Sequence, residues 1–188
     1  MAEVVSTNQF KNGMAIEIDG QPFTIVEFQH VKPGKGGAFV RTKVRNIATG
    51  AVLDKTFRAG EKFGRMHTQS RKMQYLYSTE DEVVLMDGET YEQVSVSPAM
   101  AGDTLKWVVE NMEVDIMYLN GEPFEVQPPN FVELEITKSD PGVRGDTAQG
   151  GSKPATLETG VTIQVPLFIE QGERVKVDTR SGEYLGRA

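Results

Sequence analysis

The chain has 188 residues, of which 38% are hydrophobic and 25% charged, as is usual for a soluble globular protein. It contains no cysteine, which excludes disulfides, thiolate metal sites and a cysteine nucleophile. The first residues lack the pattern of a secretory signal, and no apolar run approaches the roughly 20 residues that cross a bilayer. We therefore expect a cytoplasmic protein that does not enter a membrane.

The net charge of −7 is unevenly distributed along the chain. Residues 1–75 hold 12 Lys and Arg against 6 Asp and Glu, a net of +6, whereas residues 76–188 hold 8 against 21, a net of −13. Because salt screens charges beyond roughly 8 Å, a basic region can bind phosphate although the whole protein is acidic. A basic face that is merely solvated explains the asymmetry equally well at this point.

Short strands dominate the first 60 residues. Residues 14–18 lead through Asp19-Gly20, a strong hairpin turn signal, into residues 22–28, and Thr49-Gly50 turns the chain into a strand over 51–58. Four or five short strands in so short a stretch predict a small, curled antiparallel sheet or barrel.

A glycine-rich loop separates two alternating runs, residues 23–28 and 39–47, that together predict a hairpin. No large apolar side chain near its apex could hold the loop against the body, and a six-residue strand already extends roughly 20 Å. Lys35, between Gly34 and Gly36, is therefore predicted to stand alone at the end of a projecting hairpin. Most lysines in such loops are simply exposed, so the loop alone does not establish a function.

A polar, glycine-flanked segment over 58–64 predicts one domain boundary, and the stiff Pro128-Pro129 predicts a second. Alternation between them predicts strands near 72–77, 83–86, 91–94, 114–119 and 123–126. A short helix is predicted over 102–112 with Asp103 as its N-cap, and Asn120-Gly121 is a further hairpin signal.

Beyond the second boundary, residues 131–137 alternate cleanly, and further strands are predicted over 161–169 and 174–178. The polar loop over 140–153 is long for a compact β domain, and such loops are usually functional or mobile. The layout is three β units, 1–64, 65–127 and 128–188. The second and third suit five-stranded barrels of the oligonucleotide-binding (OB) type.

No arrangement of side chains in the sequence predicts catalysis, a metal site or a cofactor. His30 and His67 are the only histidines, and they lie in different predicted domains with no further histidine or aspartate at ligand spacing. Neither residues 34–37 nor residues 142–145 precede a helix signal, so neither glycine stretch fits a phosphate loop. We therefore predict a binding protein that presents loops, not an enzyme.

Over its whole length the chain resembles the bacterial elongation factor P family. The resemblance rests on motifs that are specific only in combination: residues 32–36, 128–134, 145–147 and 153–160, and Val165-Pro166 with Gly172. It implies an all-β fold of three small β-barrel domains in an L-shaped, tRNA-like arrangement. The first would be an SH3-like (KOW-type) domain, and the other two would be OB-folds.

The resemblance also implies a function. The family's members are translation elongation factors that bind the 70S ribosome between the P and E sites and stimulate peptide-bond formation. They order the P-site peptidyl-tRNA and so relieve stalling at consecutive prolines. Lys35 matches the tip position, which is often modified, so a lysine-modifying enzyme is an implied partner. β-Lysine, an aminoalcohol extension and no modification all remain open.

Further residues are assigned by the same resemblance. Its tip-supporting residues are Lys32, Pro33, Gly34, Gly36 and Gly37, and its expected tRNA or rRNA contacts are Lys32, Arg41 and Arg45. Residues Gly145, Asp146 and Thr147 match the family loop that approaches the mRNA codon in the E site. We expect a monomer.

Two other classes of protein remain as alternatives. An acidic multi-barrel adaptor would bind RNA or protein away from the ribosome, and ribosome co-sedimentation separates it from the first interpretation. An enzyme is disfavoured because no catalytic constellation is present, and turnover by the purified protein would support it.

Overall fold

The computed structural model describes residues 3–141 and 151–188, and in this part of the chain sixteen strands form three separate sheets. Helix is limited there to one α-helical turn, α1 (Pro98–Ala101), and two 3-10 turns, Thr7–Gln9 and Gly102–Lys106. The predicted all-β class is confirmed. None of these helices is long and apolar enough to span a membrane.

The chain divides into two compact units. The first contains the residues up to Gln69 with Tyr118–Phe124, and the second contains Ser70–Met117 with Glu125–Ala188. The limits 1–64, 65–127 and 128–188 remain a prediction about domains.

The first sheet has six strands in the order β1-β6-β2-β3-β4-β5. Their bounds are β1 Val4–Ser6, β2 Ala15–Ile18, β3 Gln21–Val31, β4 Phe39–Asn46, β5 Val52–Arg58 and β6 Lys62–Met66. Asp19 and Gly20 have φ values of 52° and 77°, which is the geometry that a two-residue hairpin turn requires. The sequence analysis missed β1 and β6. Strand β6 lacks apolar alternation, since Phe63 and Met66 are its only apolar residues besides Gly64, and it pairs with β1 on one side and β2 on the other.

The second sheet has five strands in the order β11-β10-β7-β8-β9. Their bounds are β7 Thr68–Ser78, β8 Val83–Asp87, β9 Gln93–Val96, β10 Glu113–Leu119 and β11 Glu122–Gln127. Asn120 and Gly121, with φ values of 51° and 82°, form the predicted turn between β10 and β11.

The helix predicted over 102–112 is wrong in position and extent. Helix α1 begins earlier because the Ser97 hydroxyl accepts a hydrogen bond from the Met100 N–H and Pro98 occupies the first turn. Gly102, with φ 52°, ends the α-helical geometry, and only a 3-10 turn follows. Asp103 lies inside that turn and forms an ion pair with Lys106, so it is not an N-cap.

The third sheet has five strands in the order β14-β13-β12-β15-β16. Their bounds are β12 Phe131–Ser139, β13 Ser152–Leu157, β14 Thr162–Pro166, β15 Arg174–Asp178 and β16 Glu183–Arg187. The predicted alternation of β12 is confirmed, since Val132, Leu134 and Ile136 are buried while Phe131 and Glu133 are exposed. Ser152 and Lys153, which were predicted as the end of a loop over 140–153, belong to β13, and residues 142–150 of that loop lie outside the described residues.

Trp107 packs against the buried core of the third sheet, together with Val109 and Met112. The Thr159 hydroxyl donates a hydrogen bond to the Lys106 carbonyl over 2.5 Å, next to this contact. Gly182 lies beneath the indole, and a Cβ added there would be 3.6 Å from Trp107 Cη2. Because Trp107 is the sole tryptophan, its fluorescence reports directly on the packing of this residue against the third sheet.

Gly182→Ala should lower the free energy of unfolding by about 1 kcal/mol, because Gly182 has φ 76° and an alanine there is strained. Thermal unfolding followed by tryptophan emission measures the effect. Gly186→Ala is the matched control, since its φ is not in the left-handed region and an added Cβ meets nothing within 4 Å. Equal stability of the two variants would show that the turn is not constrained as described.

Candidate functional site

The candidate site is the hairpin formed by β3 and β4. The two strands pair from Phe23 opposite Asn46 to Val31 opposite Phe39, and the register shifts between Ile25 and Glu27. Such a bulge bends a strand and increases its twist. On its other side β4 pairs with β5 along its length, so main-chain hydrogen bonds hold β4 from both sides.

The inner face of the hairpin belongs to the core of the first sheet. Val40 and Val44 are fully buried, and the Phe28 ring meets the Phe10 ring edge-on at 6.1 Å. Thr42 is also buried, and its hydroxyl is without a hydrogen-bond partner among the described residues. The core therefore fixes β4 up to Val40, near the start of the strand.

The loop between β3 and β4 lies free of the core. All residues from Lys32 to Gly37 are exposed, and the Ala59 N–H donates to the Ala38 carbonyl over 3.1 Å just beyond them. Within the described chain, the Lys32 and Lys35 side chains have no hydrogen-bond or ion-pair partner. Nothing in the body of the protein therefore holds either ammonium group.

The glycines of this loop differ in what the backbone demands of them. Gly36 has φ 109°, which side-chain-bearing residues rarely adopt, and a Cβ added there would be 4.0 Å from Pro33 Cγ. Gly34 and Gly37 are not in the left-handed region, and an added Cβ would meet nothing within 4 Å. No close contact within the described chain therefore requires a glycine at position 34 or 37.

The outer face of the hairpin carries charge that changes along its length. Lys43 lies between Glu27 and Asp54 in register and forms a 2.8 Å ion pair with Glu27. The hydrogen bond and charge of Glu27 raise the pKa of Lys43, and the charge of Asp54 adds to the shift. Arg41, nearer the loop, lies instead between the uncharged Gln29 and Thr56.

Two residues of the outer face were missed by the sequence analysis. Phe39 is paired with Arg58 of β5, and the Arg41 guanidinium lies 5.7 Å from the centre of the Phe39 ring. Counting outward from the Thr49-Gly50 turn signal would have placed Arg58 opposite Arg41, because the observed pairing is centred one residue earlier, on Ala48 and Thr49. Arg41 thus has no carboxylate beside it in register, whereas Lys43 has two. Next to Arg58, the Glu61 carboxylate accepts a hydrogen bond from the Arg58 N–H over 3.1 Å.

The other predicted site residues are placed differently. Arg45 is exposed and opposite Val52, about 13 Å along the strand from Arg41 at the usual rise per residue. The structure therefore does not bring Arg45 to the loop. Gly145, Asp146 and Thr147 lie outside the described residues. Among the described residues, no group of His, Cys, Asp or Glu side chains could hold a metal ion.

Family models cover most of the chain in three consecutive matches. Residues 6–63 match the elongation factor P KOW-like domain, residues 68–126 the elongation factor P OB domain, and residues 132–187 the elongation factor P C-terminal region. These matches, with the three sheets, define a translation factor assembled from successive small β domains.

Full-length relatives agree with this class. The chain is 54% identical over 185 residues to elongation factor P of Desulfitobacterium hafniense (strain DSM 10664 / DCB-2). It is 55% identical over 184 residues to that of Synechococcus sp. (strain JA-3-3Ab). Both alignments cover 98% of this chain and 100% of the relative. The chain belongs to the elongation factor P family and is a translation elongation factor.

Among the solved structures that resemble part of the chain is a translation initiation factor. It is the eukaryotic translation initiation factor 5A from Methanococcus jannaschii, with 25% identity and a TM-score of 0.47. The match covers 68% of this chain and 95% of that protein.

Gly36→Ala should destabilise the protein by about 1 kcal/mol because of its positive φ, whereas Gly34→Ala should leave stability within about 0.5 kcal/mol of the starting protein. Thermal or urea unfolding of the two variants measures the difference. A large loss of stability in Gly34→Ala would mean that the loop packs in solution, contrary to the structure.

Proposed function

We propose that this elongation factor binds the 70S ribosome between the P and E sites, with the end of the β3–β4 hairpin directed at the P-site peptidyl-tRNA. The observation that carries the proposal is the pair of ammonium groups, Lys32 and Lys35, that are exposed on a rigidly paired hairpin and have no partner within the described chain. Membership of the family supports the ribosome as the partner.

The proposed action is positional and needs no catalytic group in the protein itself. Proline is a constrained, slow participant in peptide-bond formation, so the reacting ends spend little time correctly aligned. A factor that orders the acceptor end of the peptidyl-tRNA and the nascent chain lowers the entropic part of the barrier. Lys35 supplies a single charge on a flexible stem that can reach beyond the backbone of the loop.

Small residues around Lys35 suit a narrow RNA site. Gly34 and Gly37 meet no neighbouring atoms, so their lack of a side chain has no internal explanation. In our proposal these glycines keep the loop thin enough to enter between nucleotides, and Pro33 limits the conformations of the loop before it binds.

The cations behind the tip are proposed to position the hairpin on phosphates. Lys32 and Arg41 are suited to this because no carboxylate lies beside Arg41 in register and Lys32 has no partner among the described residues. We include Arg58 among these phosphate-binding cations because it lies opposite Phe39, at the loop end of β5. Arg45 is a weaker candidate, since it lies farther along β4.

Modification of Lys35 by a dedicated enzyme is also part of the proposal. An exposed, unpartnered amine between two glycines is accessible to such an enzyme and tolerates an added group without a clash. The intact mass of the protein purified from its own host would identify the group. A mass equal to that of the unmodified chain would refute the modification.

Residues Gly145, Asp146 and Thr147 are proposed to contact mRNA or rRNA near the E site. This rests on the family resemblance and on chemistry, since small residues let the backbone approach RNA and Asp and Thr can hydrogen-bond base edges or 2′-hydroxyls. Undiminished rescue by a folded Asp146→Ala variant, in the reporter assay that follows, would count against the contact.

Lys35→Ala should impair synthesis across a Pro-Pro-Pro sequence by about tenfold or more while sparing messages without proline runs, because it removes the positioned charge. Its thermal stability should change by less than about 0.5 kcal/mol, as for other exposed residues. Lys35→Arg should also fall short, because the guanidinium is wider and cannot be modified as an amine. Reconstituted translation of paired reporters measures the effect.

The matched control for that assay is Lys62→Ala, which removes an exposed lysine from β6 of the same sheet. It should leave both reporters unchanged. Equal rescue by the starting protein and Lys35→Ala would remove the tip from the mechanism, whereas a starting protein that does not co-sediment with ribosomes would favour an adaptor that acts elsewhere.

Arg41→Ala should weaken ribosome binding and reduce its dependence on salt, because one phosphate contact is lost. Lys43→Ala removes a cation from the same strand and face, but Lys43 is already paired with Glu27, so its effect on the salt dependence should be smaller. Binding measured at several salt concentrations distinguishes the two. An equal loss in both variants would mean that overall charge, not position, governs binding.

A further inference from the structure

An exposed aromatic ring on the third sheet lies close to two cations. Phe131, the first residue of β12, keeps 47% of its surface exposed. The Lys176 ammonium lies 5.1 Å from the centre of its ring, and the Arg180 guanidinium lies 5.2 Å from it. We call these three side chains the Phe131 platform. They come from β12, from β15 and from the turn after β15.

Lys176 lies over the Phe131 ring although a carboxylate is close enough to pair with it. Glu133 is its direct partner in the β12–β15 register, and Phe131 is its diagonal neighbour on the same face. Lys176 nevertheless forms no ion pair with any described residue, and its ammonium lies over the ring. Its charge is therefore open to a ligand.

Arg180 is held over the Phe131 ring by hydrogen bonds to Asp178, two residues earlier in the chain. Its Nε and Nη2 donate to the two carboxylate oxygens of Asp178 over 3.1 and 2.9 Å. These bonds and the charge of Arg180 hold the pKa of Asp178 below its usual range, so the carboxylate stays ionised at neutral pH. The Arg180 side chain is still 60% exposed, and the guanidinium has donors beyond those used by Asp178.

The turn that carries Arg180 is tied to the segment that carries Phe131. The Thr179 hydroxyl donates to the Pro129 carbonyl over 2.6 Å, and the Thr179 N–H donates to the Asn130 carbonyl over 2.9 Å. The Gly182 N–H closes the turn onto the Asp178 carbonyl over 2.7 Å. Ring and guanidinium are thus held in place before any ligand binds, which lowers the entropic cost of binding.

We propose that the Phe131 platform is a binding site for single-stranded RNA, in which a base stacks on the exposed part of the Phe131 ring and Lys176 and Arg180 contact the flanking phosphates. An exposed aromatic ring beside cations is the combination that single-stranded nucleic acid uses, because every base offers a flat face and every linkage a charge. The adjacent Glu133 carboxylate can accept hydrogen bonds from base amino groups or 2′-hydroxyls, which are donors that RNA offers and the side chains of a glutamate-rich peptide do not.

This site is separate from the hairpin of the first sheet, and it does not depend on the action proposed for Lys35. A translation factor works among exposed RNA strands, so the ligand class agrees with the family that the chain belongs to. The prediction concerns binding by the isolated, full-length protein and needs no ribosome.

The test is fluorescence polarisation of a labelled uridine octanucleotide with the full-length protein. Phe131→Ala should weaken binding by at least about fivefold, the lower end of the effect of losing one stacked base. Phe131→Trp should bind at least as well as the starting protein, because a larger ring stacks better. Lys176→Ala should weaken binding and reduce the salt slope by about 0.7, the value for one phosphate of a single strand.

Two controls make the result specific. Lys138→Ala removes an exposed lysine from the same strand, and Lys62→Ala removes an exposed lysine from the first sheet, so both should bind the oligonucleotide as the starting protein does. Tryptophan emission shows that each variant is folded. The proposal is overturned if Phe131→Ala binds the octanucleotide unchanged, or if a glutamate-rich peptide competes as well as unlabelled RNA, which would assign the platform to an acidic protein partner.

Discussion

The pairing of β4 with both β3 and β5 is the interaction on which the candidate site depends. No side chain of the loop packs against the body, so the position of Lys35 is determined by main-chain hydrogen bonds and by the buried residues of β4. Val40 is the outermost of these buried anchors on β4. The sequence of the loop can therefore suit a binding partner without affecting the packing of the core. Substitutions of exposed loop side chains should then change function and leave stability nearly unchanged.

The features that could be predicted from the sequence are those that depend on neighbours along the chain. The Asp19-Gly20 and Asn120-Gly121 turns are local, and both adopt the positive φ values that their residue types favour. The alternation in β12 is local too, and it matches burial residue by residue. The glycine loop with its lysine belongs to the same group, because the absence of apolar residues is visible in the sequence.

What could not be predicted depends on partners distant in sequence. Strand β6 carries little apolar pattern and exists because β1 and β2 flank it. The helix around residue 102 was misplaced because Ser97 and Pro98 start it earlier and Gly102 ends it, which outweighs the apolar spacing that follows. The register that joins Phe131 to Lys176 spans 45 positions, and no local signal marks it.

One turn in the third sheet links two features that are otherwise unrelated. Residues 179–182 place Arg180 over Phe131 and Gly182 beneath Trp107. The Phe131 platform and the Trp107 contact therefore depend on the same turn, which hydrogen bonds to Pro129, Asn130 and Asp178 hold in place.

Strand β5 has a consequence beyond the support of β4. It ends the first sheet, and strands at sheet ends expose unpaired main-chain groups that can recruit a second copy of the same chain. Val52 and Leu53 are exposed on it and would favour such growth. The charges of Asp54, Lys55 and Arg58 oppose it, because neighbouring copies would have to strip water from these groups. The charged side chains of this strand thus oppose edge-to-edge polymerisation of the protein.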